Sequence, residues 1–242
     1  MEETVKAPPR RTELQMARSM CWHCQSEVTG EYFCDRCVKV QPLSKESDYF
    51  SCLGLPRRLS IDAQELERRF YDMSRAFHPD FFHTKTDTER MISLGNSALL
   101  NNAYRTLKDP IQRAEYLVGL EAGSVKDIRS APPADLFEEI LSLQEDLESY
   151  REGLAEGPSD KLAGLRAKLD SDRRSLEERQ RELESKLFAL FGKWDALHQR
   201  EDGGAAMRAD KDAVLKEMRE VLSNRTYVRN IVTDVANTLE SN

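Results

Sequence analysis

The 242-residue sequence lacks the features that would assign it to several large classes of protein. No apolar run approaches the roughly 20 residues that a membrane-spanning helix needs. Lys and Arg (36) are outnumbered by Asp and Glu (43), which gives a net charge of −7. We therefore expect neither nucleic acid nor an anionic membrane as a partner, because both select for a surplus of positive charge. Aromatic residues make up only 7% of the chain and charged residues 33%, a composition typical of long, well-solvated helices.

The motifs of common enzyme active sites are absent as well. The sequence contains no Gly-x-x-x-x-Gly-Lys-Ser/Thr phosphate cradle, no His-Glu-x-x-His motif and no nucleophile elbow. We therefore expect no enzymatic activity. Residues 1–19 contain early acids and two prolines instead of an apolar signal core, so we expect a flexible leader and no secretion. The predicted location is the bacterial cytoplasm, with the mitochondrial matrix as the alternative.

Four closely spaced cysteines are the first feature that the sequence does contain. Cys21 and Cys24 form one Cys-x-x-Cys pair, Cys34 and Cys37 form a second, and nine residues separate the two pairs. Four thiolates complete a closed tetrahedral shell around one zinc ion. A module of about 25 residues is too small to build an adequate core and needs such an ion to fold. We predict a structural zinc module at residues 20–43, with two disulfides or a redox Cys-x-x-Cys as the alternatives.

A helix that ends at a defined point follows the cysteines. Asp62 is a suitable N-cap, and Pro79 lacks an N–H and biases His78 away from helical geometry, so the helix is expected to end at or just before His78. A second helical pattern runs from about residue 88 to residue 107. Spacings of three and four predict one buried face on each helix: Leu66, Phe70, Met73 and Phe77 on the first, and Ile92, Leu99, Ala103 and Leu107 on the second.

The tripeptide His78-Pro79-Asp80 lies at the tip of this predicted helical hairpin. A surface turn is the ordinary explanation of a Pro-Asp pair, and the tripeptide would occur by chance about one time in a hundred in a chain of this composition. The opposite face of the first helix carries Arg68, Arg69 and Arg75. These charges could attract an acidic protein surface, although arginines on a helix are most often a solvated face.

The C-terminal half is predicted to be a helical bundle of its own. Residues 122–134 contain Ser, Gly and consecutive prolines and are predicted to be a linker. Three helices are expected after it, at about 134–154, 160–199 and 205–239. Leucines recur every seven residues from 162 to 197, but charged residues occupy the companion core positions of a zipper. We therefore predict an all-α protein with an antiparallel three-helix bundle at 135–242, as a monomer, with a dimer as the alternative.

Residues on both sides of the tripeptide give the chain a family resemblance. Segments in the order and spacing of a J domain occur between residues 48 and 110, and the domain is placed at 44–121. The segments are Asp48-Tyr49-Phe50, Leu53-Gly54-Leu55, His78-Pro79-Asp80-Phe81-Phe82, Asn101-Asn102-Ala103-Tyr104-Arg105-Thr106-Leu107 and Asp109-Pro110. Arg113-Ala114-Glu115-Tyr116-Leu117 and the helical C-terminal half resemble HscB, the J-type co-chaperone family of iron–sulfur cluster assembly.

The resemblance implies two binding surfaces and no catalytic residues. The J domain would contact a DnaK/HscA-type chaperone and promote its ATPase through His78, Pro79 and Asp80, with charge complementarity from Arg68, Arg69 and Arg75. The bundle would bind an IscU-like iron–sulfur scaffold protein through an apolar patch with a charged rim. The matching residues here are Leu136, Phe137, Ile140, Leu141, Glu145 and Tyr227, although the apolar ones could equally belong to the bundle core.

Two other functions compete with this prediction. A general J-domain co-chaperone for unfolded clients would be expected to show a Gly/Phe-rich linker and β-rich client domains, and the sequence has neither. An interaction scaffold built around the zinc module, acting in transcription for example, would need a basic recognition surface. Only Arg36 and Lys39 lie near the cysteines.

Overall fold

The computed structural model describes residues 20–28, 32–43, 48–122, 136–198 and 205–240. The predicted leader at 1–19 and all but the first residue of the predicted linker at 122–134 lie outside them. Within these ranges the secondary structure is helical, and β-pairing is limited to isolated bridges joining Met20 to Glu27 and Phe33 to Val40. The all-α fold class is therefore confirmed. Among the same residues, each helix is too short or too polar to span a lipid bilayer.

Seven α-helices follow one another along the described chain, and we number them in that order. They are α1 (Tyr49–Cys52), α2 (Ala63–Phe77), α3 (Asp87–Lys108), α4 (Pro110–Ala122), α5 (Phe137–Glu156), α6 (Asp160–His198) and α7 (Ala205–Glu240). One 3-10 turn, Pro79–Phe81, lies between α2 and α3.

The chain divides into two compact units. The first comprises Met1–Pro56 with Asp62–Lys108, and the second comprises Arg57–Ile61 with Asp109–Asn242. Residues 57–61 and all of helix α4 except its last residue lie inside the predicted J domain at 44–121, and both segments belong to the second unit. The predicted limits of the zinc module, the J domain and the bundle stay predictions.

In the first unit, α2 begins and ends where its sequence predicts. The Asp62 carboxylate accepts hydrogen bonds from the amides of Gln64 and Glu65 at 2.8 and 3.4 Å, which satisfies free donors of the first turn. The helix ends at Phe77, immediately before His78, whose φ of −58° and ψ of 125° are not helical. Leu66, Met73 and Phe77 are buried, while Phe70 is half-buried and stacks on Tyr104 with ring centroids 4.2 Å apart.

Helix α3 buries a different face from the one predicted. Ile92 and Leu99 are only half-buried, whereas the fully buried stripe is Ser93, Asn96, Leu100, Ala103 and Leu107. These five positions follow one another at spacings of three and four, as a helix face must. The predicted buried face was wrong in the first half of α3, where it is displaced by one position. The cause is that Ser93 and Asn96 were treated as exposed polar residues. Both are buried with hydrogen-bond partners, which removes the cost of burying them.

The second unit contains the three long helices α5, α6 and α7. Along α6 the leucines repeated at intervals of seven face inward, since those at 169, 176, 183 and 190 are buried. Helix α7 packs along α6, and its buried residues are Leu215, Met218, Val221, Leu222, Val228, Val235, Thr238 and Leu239. The leucine repeat therefore packs within the bundle.

Candidate functional site

The tripeptide is exposed at the junction of α2 and α3, in the loop of residues 78–86. The His78 and Asp80 side chains are 53% and 84% exposed. The Asp80 amide donates a hydrogen bond to Nδ1 of His78 at 3.3 Å. Pro79 is the first residue of the 3-10 turn, a position whose N–H has no partner within the turn, so proline loses no hydrogen bond there. The imidazole and the carboxylate are thus both presented to solvent on a short, hydrogen-bonded turn.

The base of this loop is fixed by bonds that the sequence did not reveal. The Phe77 carbonyl accepts hydrogen bonds from the hydroxyls of Ser93 and Ser97 at 2.7 and 3.0 Å. The Phe82 amide donates to the Pro79 carbonyl at 2.9 Å. Phe82 is buried, whereas Phe81 is 64% exposed. One ring of the Phe-Phe pair therefore anchors the loop and the other is free to contact a partner.

The three predicted basic residues have different surroundings. Arg68 is exposed and pairs with Glu65 at 2.7 Å and Asp72 at 3.3 Å. Arg69 is half-buried, pairs with the same Glu65 at 2.5 Å, and donates to the Gly54 carbonyl at 2.6 Å. Hydrogen bonds from Arg69 and Arg68 lower the pKa of Glu65.

Arg75 is exposed in the last turn of α2, one turn before His78. The basic surface next to the tripeptide therefore consists of Arg68 and Arg75, while Arg69 ties α2 to the turn at residue 54. The role of all three in chaperone binding stays a prediction.

The four cysteines converge on one point. Their Sγ atoms all lie within 4.8 Å of one another, and the pairs Cys21–Cys37 and Cys24–Cys34 are each 3.6 Å apart. Four sulfurs at about 2.3 Å from one zinc ion lie about 3.8 Å apart, whereas a disulfide bond needs about 2.05 Å. The four residues thus form a site that can hold one metal ion.

The backbone of each cysteine pair has the same geometry. Within the first pair the Cys21 amide donates to the Ser26 carbonyl at 2.7 Å, and within the second the Cys34 amide donates to the Lys39 carbonyl at 2.9 Å. The residue after each second cysteine has a positive φ, 56° at Gln25 and 57° at Val38. This left-handed conformation, which is costly for a β-branched residue, turns both thiols of a pair to the same side.

The surroundings of the four thiols favour the charged thiolate form at some positions more than at others. Ser26 lies 2.9 Å from the sulfur of Cys24 and 3.3 Å from that of Cys34. The hydrogen bond from Ser26 lowers the pKa of Cys34 to about 6. Burial raises the pKa of Cys37 to about 12. A bound cation would offset this cost, because metal binding deprotonates a coordinating thiol.

The predicted scaffold-binding residues do not all face outward. Phe137 and Leu141 are 56% and 50% exposed, but Ile140 is only 3% exposed. The helical phase explains the difference, since Ile140, Leu143, Leu147 and Tyr150 form the buried face of α5. Glu145 is exposed one turn after Leu141, while Leu136 and, on α7, Tyr227 are half-buried. The exposed face of α5 thus carries Phe137, Leu141 and Glu145, and Ile140 does not belong to it.

Comparisons with known proteins find a matching domain family and similar curated proteins. Residues 48–116 match the DnaJ domain family. The chain is 34% identical over 134 residues to "Iron-sulfur cluster co-chaperone protein HscB" of Mus musculus, covering 52% of this chain and 56% of that protein. It is 38% identical over 102 residues to "Co-chaperone protein HscB" of Proteus mirabilis (strain HI4320), covering 42% of this chain and 59% of that protein. The chain thus spans about half the length of the curated relatives it matches.

A solved structure extends the similarity over most of the chain. The crystal structure of human co-chaperone protein HscB superposes with a TM-score of 0.55, covering 90% of this chain and 97% of that one at 24% identity. This likeness concerns the fold. The exposed tripeptide lies in a segment, residues 48–116, that matches the DnaJ domain family, and the chain is similar to the HscB co-chaperones.

Proposed function

We propose that this chain is a co-chaperone that activates the ATPase of a DnaK/HscA-type chaperone and presents an iron–sulfur scaffold protein to it. The observation that carries the first half is the solvent-exposed His78-Pro79-Asp80 turn within a DnaJ domain. The turn would contact the ATP-bound chaperone and favour its hydrolytic state, which is a coupling between two proteins in the allosteric sense. The phosphate bond is cleaved in the partner, and this chain acts as a regulator.

The electrostatics of α2 support the same proposal. The chain is acidic overall, yet Arg68 and Arg75 lie exposed on the helix that leads to the tripeptide. Local positive charge of this kind speeds the encounter with an acidic protein surface and orients the two proteins relative to each other. Arg68 is partly offset by Glu65 and Asp72, so Arg75, next to the turn, would contribute the larger share of this attraction.

The second half of the proposal concerns the exposed face of α5. Phe137 and Leu141 lie one turn apart and are about half exposed, with Glu145 on the next turn. Exposed apolar side chains with a charged rim are typical of protein-binding surfaces. The names of the mouse and Proteus relatives describe co-chaperones, in the mouse case an iron–sulfur cluster co-chaperone. An IscU-like scaffold is therefore the partner that we propose for this face.

The metal in the tetracysteine site is proposed to be zinc with a structural role. Four sulfur ligands suit zinc and leave no open coordination position for a reacting group. The ion would be held by Cys21, Cys24, Cys34 and Cys37, and it would supply folding free energy to a small module. The cytoplasmic location and the monomeric state remain predictions from the sequence.

The proposed chaperone contact is tested by single-turnover ATP hydrolysis on a DnaK-type chaperone. The wild-type chain should accelerate hydrolysis, and His78→Gln should lose at least 90% of that acceleration with an unchanged circular dichroism spectrum. The matched control is His198→Gln, which makes the same substitution at an exposed histidine at the end of α6. Equal stimulation by wild type and His78→Gln would reject the assigned role of the tripeptide.

A further inference from the structure

The metal module (residues 20–28 and 32–43) packs against the end of α2 that leads into loop 78–86. The ring of Tyr32 meets the ring of Phe77 edge to face, with centroids 5.3 Å apart and an interplanar angle of 82°. The ring of Phe33 stacks on the same Phe77 at 6.5 Å and 23°. Both geometries are those that aromatic pairs prefer. Phe77 is completely buried and directly precedes His78.

The metal module also contacts the opposite end of the loop, where α3 begins. Thr86 and Glu89 form a capping box, in which the Thr86 amide and hydroxyl donate to the Glu89 carboxylate at 3.2 and 2.8 Å. Lys39 of the module pairs with the same carboxylate at 3.0 Å. The Glu89 side chain is only 5% exposed, so little water competes for this contact.

A third set of bonds links the middle of α3 to the metal centre. Asn96 donates to the Gln41 carbonyl at 2.9 Å and accepts from the Leu43 amide at 2.8 Å. The Gln41 side chain in turn donates to Sγ of Cys21 at 3.4 Å. Gln41, Asn96 and Cys21 are all buried. A continuous chain of contacts therefore runs from a metal ligand to the helix that supports the loop.

We propose that the metal module is a positioning element for the His78-Pro79-Asp80 turn, so that occupancy of the tetracysteine site sets how well the turn is ordered. This inference rests on the proposed function, because an ordered turn matters only if the turn contacts a chaperone. A module of this size depends on its ion for folding. When the module is ordered, Tyr32 and Phe33 hold Phe77 at one end of the loop, and Lys39 holds Glu89 at the other.

The consequence is a link between metal content and chaperone stimulation. Losing the ion would release Phe77 and Glu89 while leaving α2 and α3 packed on each other through their own apolar faces. The loop would then open more often, and the tripeptide would spend less time in the geometry that a partner recognises. Tyr32, Phe33 and Lys39 act through Phe77 and Glu89, and none of the three needs to touch the chaperone.

The direct test is amide hydrogen exchange in the full-length, zinc-loaded protein. The amides of Phe81 and Phe82 report loop opening, because they are bonded to the carbonyls of His78 and Pro79. Tyr32→Ala, which keeps all four cysteines, should raise their exchange rates roughly two- to tenfold. Chelation of the zinc should raise them by at least as much. Phe188→Ala, which removes a half-exposed ring in the bundle, is the matched control and should leave both rates unchanged.

The second readout is chaperone stimulation by the same samples. Tyr32→Ala with one zinc per chain should stimulate single-turnover hydrolysis two- to tenfold less than wild type. Unchanged exchange at Phe81 and Phe82 after both Tyr32→Ala and chelation would overturn the positioning role, even if His78→Gln abolishes stimulation and the proposed function stands. If the wild-type chain stimulates no chaperone, the proposed function fails, and the exchange rates alone still decide whether the module orders the loop.

Discussion

Replacement of one buried carboxylate in α6 should destabilise the second unit strongly. Asp195 is only 7% exposed, and its two oxygens accept hydrogen bonds from the amides of Leu59 and Ser60, each at 2.8 Å. Leu59 is completely buried. The negative charge of this carboxylate also favours the charged form of the buried Arg113 guanidinium. We predict that Asp195→Asn is poorly tolerated because it loses one of the two amide hydrogen bonds, the negative charge that strengthens the other, and the favourable interaction with Arg113.

The magnitude follows from the number of bonds. A hydrogen bond to a charged acceptor contributes about 1.5–3 kcal/mol, and a buried donor left without a partner costs about 1–3 kcal/mol. The asparagine oxygen can still accept from one amide, but its NH2 group would face the other amide. We expect a loss of about 3 kcal/mol, which corresponds to roughly 6–12 °C in the unfolding midpoint for a unit of this size.

The assay is urea unfolding followed by circular dichroism, with the wild type and the variant compared under identical conditions. Asp212→Asn, at an exposed position of α7, is the control and should change stability by less than about 0.5 kcal/mol. A loss below about 1 kcal/mol for Asp195→Asn would refute the reasoning, because it would mean that the two amides find other partners or that residues 57–61 leave the unit at little cost.

Three further predictions concern the partner-binding face, the metal module and a half-buried acid. Phe137→Ala with Leu141→Ala should weaken binding to an IscU-like scaffold at least tenfold in calorimetry, because a few central residues carry most of the binding energy of an interface and truncating one of them costs about 2 kcal/mol or more. Val38→Gly should stabilise the metal module by about 1 kcal/mol, seen as slower zinc loss to a chelator, because a β-branched residue there has φ 57°. Burial raises the pKa of Glu115 above its ordinary 4.5, although Arg225 and Arg229 offset part of the rise. Glu115→Gln should therefore stabilise the second unit at pH 7.

Each of these has a control in the same chain. Ile140→Ala should reduce stability, since Ile140 is buried. A similar loss of helicity in the Phe137/Leu141 variant would indicate that these two residues belong to the bundle core and not to a binding surface. Asp35→Gly, on an exposed residue without positive φ, should not slow zinc loss. Because the pKa of Glu115 is raised in the folded state, the protonated side chain stabilises the fold fully below about pH 4.5. This stabilisation is lost as the pH rises through the pKa of the folded state. A gain from Glu115→Gln that persists at pH 3 would contradict this origin.

Local features of this fold could be predicted from the sequence because their causes are local. The cap at Asp62 and the stop before Pro79 depend on residues within one helical turn, and both ends of α2 lie where these residues predict. The cysteine spacing likewise predicted four convergent thiols, since a shared ion demands them. The seven-residue leucine repeat predicted one apolar stripe, and its four central leucines are buried along α6.

The features that the sequence did not reveal depend on distant partners. Ser93 and Asn96 look like surface residues until the Phe77 carbonyl and the Gln41 backbone are placed beside them. The contact between Asp195 and Leu59 joins residues 136 positions apart, which no local pattern can indicate. On α5, Ile140 and Leu141 are chemically alike, and only packing against the other helices decides that one is buried and the other is exposed.

The central claim is that one chain holds a scaffold protein and activates a chaperone at the same time. The most direct measurement is single-turnover ATP hydrolysis by a DnaK-type chaperone in four mixtures: alone, with this chain, with an IscU-like scaffold, and with both. Tethering raises the effective concentration of the scaffold at the chaperone, so we predict that the chain and scaffold together stimulate hydrolysis well beyond the sum of their separate effects. Stimulation that is merely additive, or absent with the chain, would contradict the account.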